Sequence, residues 1–298
     1  MQIGLVGLGK MGFNLALNLH RNGFEVIAND VNPDFVTQIA QNGISTASSL
    51  EDLTKQLSGR RVIWLMVPAG EIVDAVIEQL IPLLNPSDII IDGGNSFFKD
   101  SLRRYTHLKD KGIDFLDCGT SGGTSGALQG ACTMIGGDTD VFKYVEEVFQ
   151  KISIQNGYLH TGRAGSGHFT KMVHNGIEYG MMQAIAEGFE VFERSQFDID
   201  FQKTAELFNH GSVVRGWLME LTANAFAKDP QLDAIKGVMH SSGEGKWTLE
   251  TALDMGVPTP VIALSVMMRY RSQMEDTFSG KVVAALRNEF GGHAVEKK

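Results

Sequence analysis

The sequence predicts an α/β protein: a doubly wound sheet over residues 1–163, followed by a smaller all-α domain over residues 164–298. Three observations carry that prediction. The chain opens strand, glycine turn, helix, strand in "QIGLVGLGKMGFNLALNLHRNGFEVIAND". Short β-branched runs then recur at "RVIWLMV" (61–67), "DIIIDGG" (88–94) and "IDFLDCG" (113–119), with helical patterns such as "GEIVDAVIEQLIPLL" (70–84) between them. Strands alternating with helices indicate a parallel sheet. After about residue 163 the strands stop, and helical periodicity continues to about residue 289. The boundary is placed near "HTGRAGSG" (160–167), a glycine-containing stretch without periodicity. Beyond it, "HFTKMVHNGIEYGMMQAIAEGFEVFERS" reads as one helix of about 25 residues, long for a globular protein.

Bulk properties narrow the function classes. A length of 298 residues suits two domains, and 43% hydrophobic with 20% charged residues is an ordinary soluble composition. The net charge of −9 argues against a nucleic-acid or anionic-membrane partner, so any anionic substrate needs a local basic cluster. The two cysteines, Cys118 and Cys132, lack metal-ligand spacing. No metal is expected, and a reduced, cytoplasmic setting fits. The N-terminus enters an apolar strand directly, so no signal peptide is expected, and no apolar run approaches the length of a membrane span.

The first turn is a cofactor signal. Gly7, Gly9 and Gly12 form G-x-G-x-x-G after a strand and at the opening of a helix, with Lys10 and Met11 inside it. Gly7 permits the tight turn, Gly9 lets backbone approach a pyrophosphate, and Gly12 allows close helix–strand packing. The pyrophosphate would sit on the helix N-terminus, where free N–H groups and the dipole favour an anion. This is a Rossmann-type dinucleotide site. Asp30 closes the second strand in "VIANDVN", where a carboxylate accepts the ribose hydroxyls of NAD and repels a 2′-phosphate. No arginine follows nearby, so NAD is favoured over NADP. The plainer role for Asp30 is to cap the turn at "DVNPD".

The long helix carries the second signal. In "KMVHNGIEYG", Lys171, His174, Asn175 and Glu178 stand at i, i+3, i+4 and i+7, within an arc of about 100° on one face. One turn on, that face becomes Met182, Ile185, Ala186 and Phe189, and the flanks carry Met172, Val173, Ile177 and Met181. The helix therefore reads as apolar nearly all round, and buried, with one polar patch cut into it. A buried ammonium, imidazole, amide and carboxylate are costly unless paired or used. A catalytic wall explains them better than a solvated face with an i,i+7 charge pair.

Taken together, "GLVGLGKMG", "DGGNS", "GTSGGTSGA", "KMVHNGIEYG", "GEGKWT" and "RNEFGGH" resemble the 6-phosphogluconate dehydrogenase (decarboxylating) family, within the β-hydroxyacid dehydrogenase superfamily. The similarity runs from the first strand to the tail. At 298 residues the chain resembles a short form, lacking much of the helical domain of the longer enzymes. The resemblance implies oxidation at C3 of 6-phosphogluconate by hydride transfer to the nicotinamide, loss of CO₂, and protonation at C1 to give ribulose 5-phosphate. It places the reaction in pentose phosphate or gluconate metabolism.

The resemblance also implies roles. Lys171 is the base at the C3 hydroxyl and then the acid at the C3 oxygen, and Glu178 is the acid for C1. His174 and Asn175 hold substrate hydroxyls. Asn95 in "DGGNS" lies between nicotinamide and substrate. Ser121, Gly122 and Gly123 hold the substrate carboxylate. Val67, Pro68 and Ala69 lie under the cofactor ribose. Tyr179 contacts substrate, and Arg269 in "VPTPVIALSVMMRYR" binds its phosphate. Arg287 and His293 belong to a tail that enters the neighbouring subunit's site, which implies a homodimer or a dimer-based homo-oligomer.

One departure bears on the substrate. The longer enzymes carry a lysine and a threonine before "GKWT", whereas this chain has Ser242 and Glu244 in "SSGEGKWT". Losing a cation and adding a carboxylate weakens the electrostatic case for phosphate there, and Lys246 reads as structural. The alternative is another β-hydroxyacid dehydrogenase, acting on an unphosphorylated sugar acid. A third reading, a dinucleotide-binding regulator without catalysis, leaves the Lys171–Glu178 pair without a purpose.

Overall fold

The computed structural model describes residues 1–297. Residues 1–174 form one compact unit. Its eight-stranded sheet has the order β3-β2-β1-β4-β5-β6-β7-β8. The strands are β1 (Gln2–Val6), β2 (Glu25–Asn29), β3 (Ser45–Thr46), β4 (Val62–Leu65), β5 (Ile89–Asp92), β6 (Asp114–Ser121), β7 (Ala131–Gly137) and β8 (Ser153–Gly162). The helices between them are α1 (Lys10–Arg21), α2 (Pro33–Ala40), α3 (Leu50–Gln56), α4 (Glu71–Leu80), α5 (Phe98–Lys109), α6 (Gly123–Gln129) and α7 (Thr139–Ile152).

Strand side chains alternate between two covered faces. Val62 and Trp64 join a core with Leu15, Leu19, Val145 and Phe149, whereas Ile63 and Leu65 join another with Leu53, Val73, Ile77 and Leu108. A sheet buried on both sides needs near-continuous apolar strands, which is why "VIWL" and "IIID" carry so little polar alternation. Adjacent β1 and β4 mark the point where the strand order reverses, the usual place for a ligand beyond the carboxyl ends.

Two strands depart from the parallel sheet expected from sequence. β7 runs antiparallel to β6, and β8 then runs parallel to β7. A parallel crossover takes a dozen or more residues, and between β6 and β7 the chain has room only for the seven-residue α6 and its flanking glycines.

The second compact unit is residues 175–298, and the division falls inside helix α8 (Ser166–Glu193). The other helices of this unit are α9 (Phe201–Asn209), α10 (Trp217–Lys228), α11 (Gly243–Asp254), α12 (Pro260–Ser272) and α13 (Phe278–Gly291). Phe189, Ala205, Met219, Ala223 and Phe226 make a small aromatic-rich core. Asp200 caps α9 by accepting from the Lys203 N–H at 2.9 Å, and Pro260 occupies the first turn of α12.

The expected long helix is present at 28 residues, but it is not buried all round. Ile177 is 53% exposed, Met181 50% and Val191 68%. Lys171, His174, Asn175 and Glu178 are partly rather than fully buried. This flank is open to solvent. Helix α13 buries no residue at all, although it carries Phe278, Leu286 and Phe290. Among the described residues no helix is long and apolar enough to cross a membrane.

Candidate active site

The glycine turn follows β1. Gly7 has φ +99°, and a Cβ on Gly12 would stand 1.9 Å from the Gly7 carbonyl oxygen, so both positions exclude a side chain. A Cβ on Gly9 would meet nothing within 4 Å, so open space lies beside the backbone. Gly9 is also the N-cap of α1 and supplies no side-chain cap, which leaves the first-turn N–H groups for another acceptor. Lys10 is exposed and Met11 partly buried. Asp30 follows β2 directly. Its Oδ2 accepts from the Leu8 N–H within the turn and its Oδ1 from the Asn32 N–H at 2.7 Å. Asp30 thus performs the turn-capping role and also ties the end of β2 to the glycine turn. These residues fit a dinucleotide: an uncapped helix N-terminus for the pyrophosphate, and a carboxylate at the end of the second strand for the ribose.

The loops after β4 and β5 share one buried clamp. Val67, Pro68 and Ala69 follow β4, and Asn95 lies exposed in the loop after β5. Beneath them the buried Arg104 donates to Asp92 Oδ2 and Ser96 Oγ, each at 3.0 Å, to Asp74 Oδ1 at 2.7 Å and to the Gly70 carbonyl at 2.9 Å. Ser96 Oγ also donates to Asp92 Oδ2 at 2.8 Å. One guanidinium therefore ties Gly70, beside Ala69, to Asp92 and Ser96 on either side of Asn95. Burial works to raise the Asp74 carboxyl, and hydrogen bonds from Arg104 and Arg103 outweigh it, holding Asp74 below its ordinary range.

On the strand side of α8, Ser121 Oγ and His174 Nε2 are 3.2 Å apart, within hydrogen-bonding distance. Gly122, at φ +109°, is the N-cap of α6, and Gly123 opens that helix without a side-chain cap. Lys171 packs its stem on Gly119 of β6, where an added Cβ would stand 2.3 Å from Lys171 Cβ. Cys118 is inert in this setting, because burial pushes its thiol far up.

In the second unit, Asn175 Nδ2 donates to Glu244 Oε1 at 3.0 Å. Glu244 is 3% exposed, and its Oε2 is buried with no hydrogen-bond partner. The Tyr179 hydroxyl donates to the Ser242 carbonyl at 3.2 Å, and the Arg269 guanidinium lies 3.7 Å over the Tyr179 ring. Arg269 also donates to the His240 carbonyl at 2.8 Å. Lys246 instead pairs at the surface with Glu250 at 3.4 Å. Glu178 is partly buried on the same helix face. Arg287 and His293 are exposed, and the tail bonds to itself: the His293 N–H reaches the Arg287 carbonyl at 3.4 Å and Asn288 Nδ2 the His293 carbonyl at 2.8 Å.

The structure thus brings Ser121 to His174 and Gly119 to Lys171, and in the other unit Tyr179 to Arg269 and Ser242. Within the second unit, Arg287 and His293 are joined through the tail's own backbone rather than to Tyr179, Arg269 or Ser242. Sequence reading missed Arg104, Asp92 and Asp74, and also Asp117 of β6, whose buried carboxylate accepts from the Gly165 and His168 N–H groups. The signal for two of them was in view, since "IIIDGG" and "FLDCG" each set a carboxylate inside an apolar strand.

A doubly wound sheet with this turn, joined to a helical unit along one long helix, defines a dinucleotide-binding dehydrogenase. Family models agree. Residues 2–162 match the NAD binding domain of 6-phosphogluconate dehydrogenase, and residues 167–298 match the C-terminal domain of the same family. The chain belongs to the 6-phosphogluconate dehydrogenase family. It is 58% identical over the whole of both chains to a Bacillus subtilis protein whose name gives it that activity only provisionally. It is 40% identical to the NAD(+)-dependent, decarboxylating 6-phosphogluconate dehydrogenase of Haloferax volcanii, across 100% of this chain and 99% of that one. Among solved structures, the 6-phosphogluconate dehydrogenase of Plasmodium falciparum matches with a TM-score of 0.85 at 31% identity, over 100% of this chain and 66% of that one. A 3-hydroxyisobutyrate dehydrogenase of Mycobacterium tuberculosis matches at TM-score 0.74 and 21% identity, over 91% of this chain and 92% of that one, a likeness of fold alone.

Proposed function

We propose that the chain oxidatively decarboxylates 6-phosphogluconate to ribulose 5-phosphate and CO₂, with NAD preferred over NADP, in pentose phosphate or gluconate metabolism in the cytoplasm. The observation that carries this reading is the polar stripe Lys171, His174, Asn175 and Glu178 on a long, mostly apolar helix, with Ser121 Oγ 3.2 Å from His174 Nε2 at one end of it. The full-length Haloferax relative, named for this reaction with NAD, supports it.

Each residue then has a task. The glycine turn and Asp30 hold NAD, which supplies a hydride acceptor when bound. Val67, Pro68 and Ala69 lie under its ribose, and Asn95 stands between cofactor and substrate. Ser121, Gly122 and Gly123 hold the substrate carboxylate with backbone N–H groups and a hydroxyl. Lys171 takes the C3 hydroxyl proton and later returns one to the C3 oxygen as CO₂ leaves, so negative charge does not build up there. Glu178 gives a proton to C1. His174 and Asn175 hold hydroxyls, and Tyr179 and Arg269 hold the phosphate end. Arg287 and His293 serve the neighbouring protomer in a homodimer or dimer-based oligomer. The exposed apolar side chains of α13, Phe278 at 80% and Phe290 at 78%, support such a partner.

Glu244 favours a second reading, a β-hydroxyacid dehydrogenase of an unphosphorylated sugar acid, because a buried carboxylate beside Asn175 repels a phosphate and accepts a hydroxyl. One experiment separates the two. Initial rates are measured with 6-phosphogluconate and with gluconate, each with NAD and with NADP, while CO₂ is followed alongside reduced cofactor. Equimolar CO₂ and NADH from 6-phosphogluconate is the expected result. Turnover of gluconate alone would sink the first reading.

A further inference from the structure

Two fully buried carboxylates stand side by side in the sheet, since Asp92 of β5 and Asp117 of β6 are register partners. A buried charge is costly unless it is answered. Arg104 answers Asp92. Asp117 is answered by backbone: its Oδ1 accepts from the Gly165 N–H at 2.6 Å and its Oδ2 from the His168 N–H at 2.8 Å. These amides flank Ser166, the first residue of α8. First-turn N–H groups have no acceptor within their own helix, and the helix dipole favours an anion there. The Asp117 carboxylate therefore fastens the start of α8 to the sheet.

Around this fastening the backbones approach too closely for side chains. A Cβ on Gly167 would stand 2.5 Å from the Met134 carbonyl oxygen and 2.6 Å from that of Asp117, and one on Gly136 would stand 2.5 Å from Asp117 Oδ1. The His168 ring, also buried, lies with Nδ1 2.7 Å from Ser101 Oγ of α5, a third tie on the same turn. Lys171 follows on the next turn. Its stem rests on Gly119, where an added Cβ would meet Lys171 Cβ at 2.3 Å and Cγ at 2.9 Å.

We propose that Asp117 and Gly119 are positioning residues for Lys171. Asp117 sets the height of the first turn of α8, and Gly119 sets how closely the lysine stem lies on β6. Neither touches substrate. The proposal rests on the reading of Lys171 as the proton-transfer group, and a misplacement of about 1 Å in such a group is worth about 10²-fold in rate.

The test is Gly119→Ala, with Asp117→Asn as a second variant. For each, kcat, KM, the dissociation constant for NAD, the melting temperature and the isotope effect on C3-deuterated 6-phosphogluconate are measured, and the Gly119→Ala protein is crystallised. The expected result for Gly119→Ala is a displaced Lys171, kcat lower by about 10²-fold, a larger isotope effect and an NAD dissociation constant within about twofold of the parent. A merely structural role would lower the melting temperature and leave kcat and the isotope effect of the folded protein alone, which would overturn the proposal. Lys171 unmoved in the crystal would overturn it too. Lys171 displaced with kcat unchanged would overturn instead the proton-transfer role on which it rests. For Asp117→Asn, which keeps the side-chain shape, a lower kcat with the NAD dissociation constant kept is expected, and an unchanged kcat would overturn the part given to Asp117. Should that variant fail to fold, Asp117→Glu, which keeps the carboxylate and shifts its reach, reads the same outcome. Gly119→Ala, which removes no bond, tests the stem contact by itself.

Discussion

The two ends of the polar stripe on α8 are built differently. At the Lys171 end, the helix start is bound by a buried carboxylate through two backbone N–H groups, and the lysine stem is pressed on a glycine. At the Asn175 and Tyr179 end, groups meet but retain spare capacity. Glu244 has one carboxylate oxygen bonded and one buried without a partner, and the Arg269 guanidinium is stacked on a ring rather than paired with an acid. The first arrangement suits a group that must be in one place whatever the substrate. The second suits groups that complete their bonding only when a ligand arrives. On the proposed roles, chemistry and selection are separable along one helix face, and variants should affect them separately.

The sharpest break is Lys171→Ala. It should lower kcat by about 10³- to 10⁴-fold, the range for a lost acid–base group, while the NAD dissociation constant stays put. Steady-state rates, with quenching of tryptophan fluorescence on NAD titration, check both halves, and an active variant would remove the lysine from the mechanism. Glu178→Gln comes next, with kcat lower by about 10²-fold in a single-turnover assay. The opposite end gives a smaller effect of the other kind. Glu244→Thr removes a negative charge from beside Asn175, so KM for 6-phosphogluconate should fall by about tenfold with kcat nearly unchanged. A rise in KM instead would make Glu244 an acceptor for a substrate hydroxyl. The smallest effect concerns stability. Asp74 is held below its ordinary range in the folded chain, so its contribution is present above the unfolded carboxyl's range, near 3.8, and is lost as pH falls through the lower folded value. Denaturant melts between pH 5 and pH 2 should show a shallower acid limb in Asp74→Asn than in the parent, and identical slopes would count against the Arg104 clamp as the cause.

Much of the fold was legible because local pattern and tertiary outcome agree. The glycine turn, the apolar strands and the 28-residue helix each announce themselves within a few dozen residues. The reversal of β7 was not, since nothing in "ACTMIGG" states a direction; the shortness of α6 decides it. The proposed site residues on α8 were visible as polar intrusions in an apolar helix. Their supports were not, because Asp117 meets Gly165 across 48 residues and Asn175 meets Glu244 across 69, separations at which periodicity carries no information. The helix surface was also misjudged. An apolar flank implies cover, but sequence does not say whether the covering atoms belong to the same chain, and Ile177 and Met181 remain exposed on this one.

The span of 48 residues between Asp117 and Gly165 has a consequence for how the protein is made. A chain emerging from the ribosome delivers β6 well before the amides that satisfy its carboxylate. Until those amides arrive, Asp117 can stay hydrated only if β6 stays short of final burial. Closing the sheet around β6 and seating Lys171 are then one event in the life of the nascent chain, and a polypeptide that has finished its Rossmann sheet has already placed its lysine.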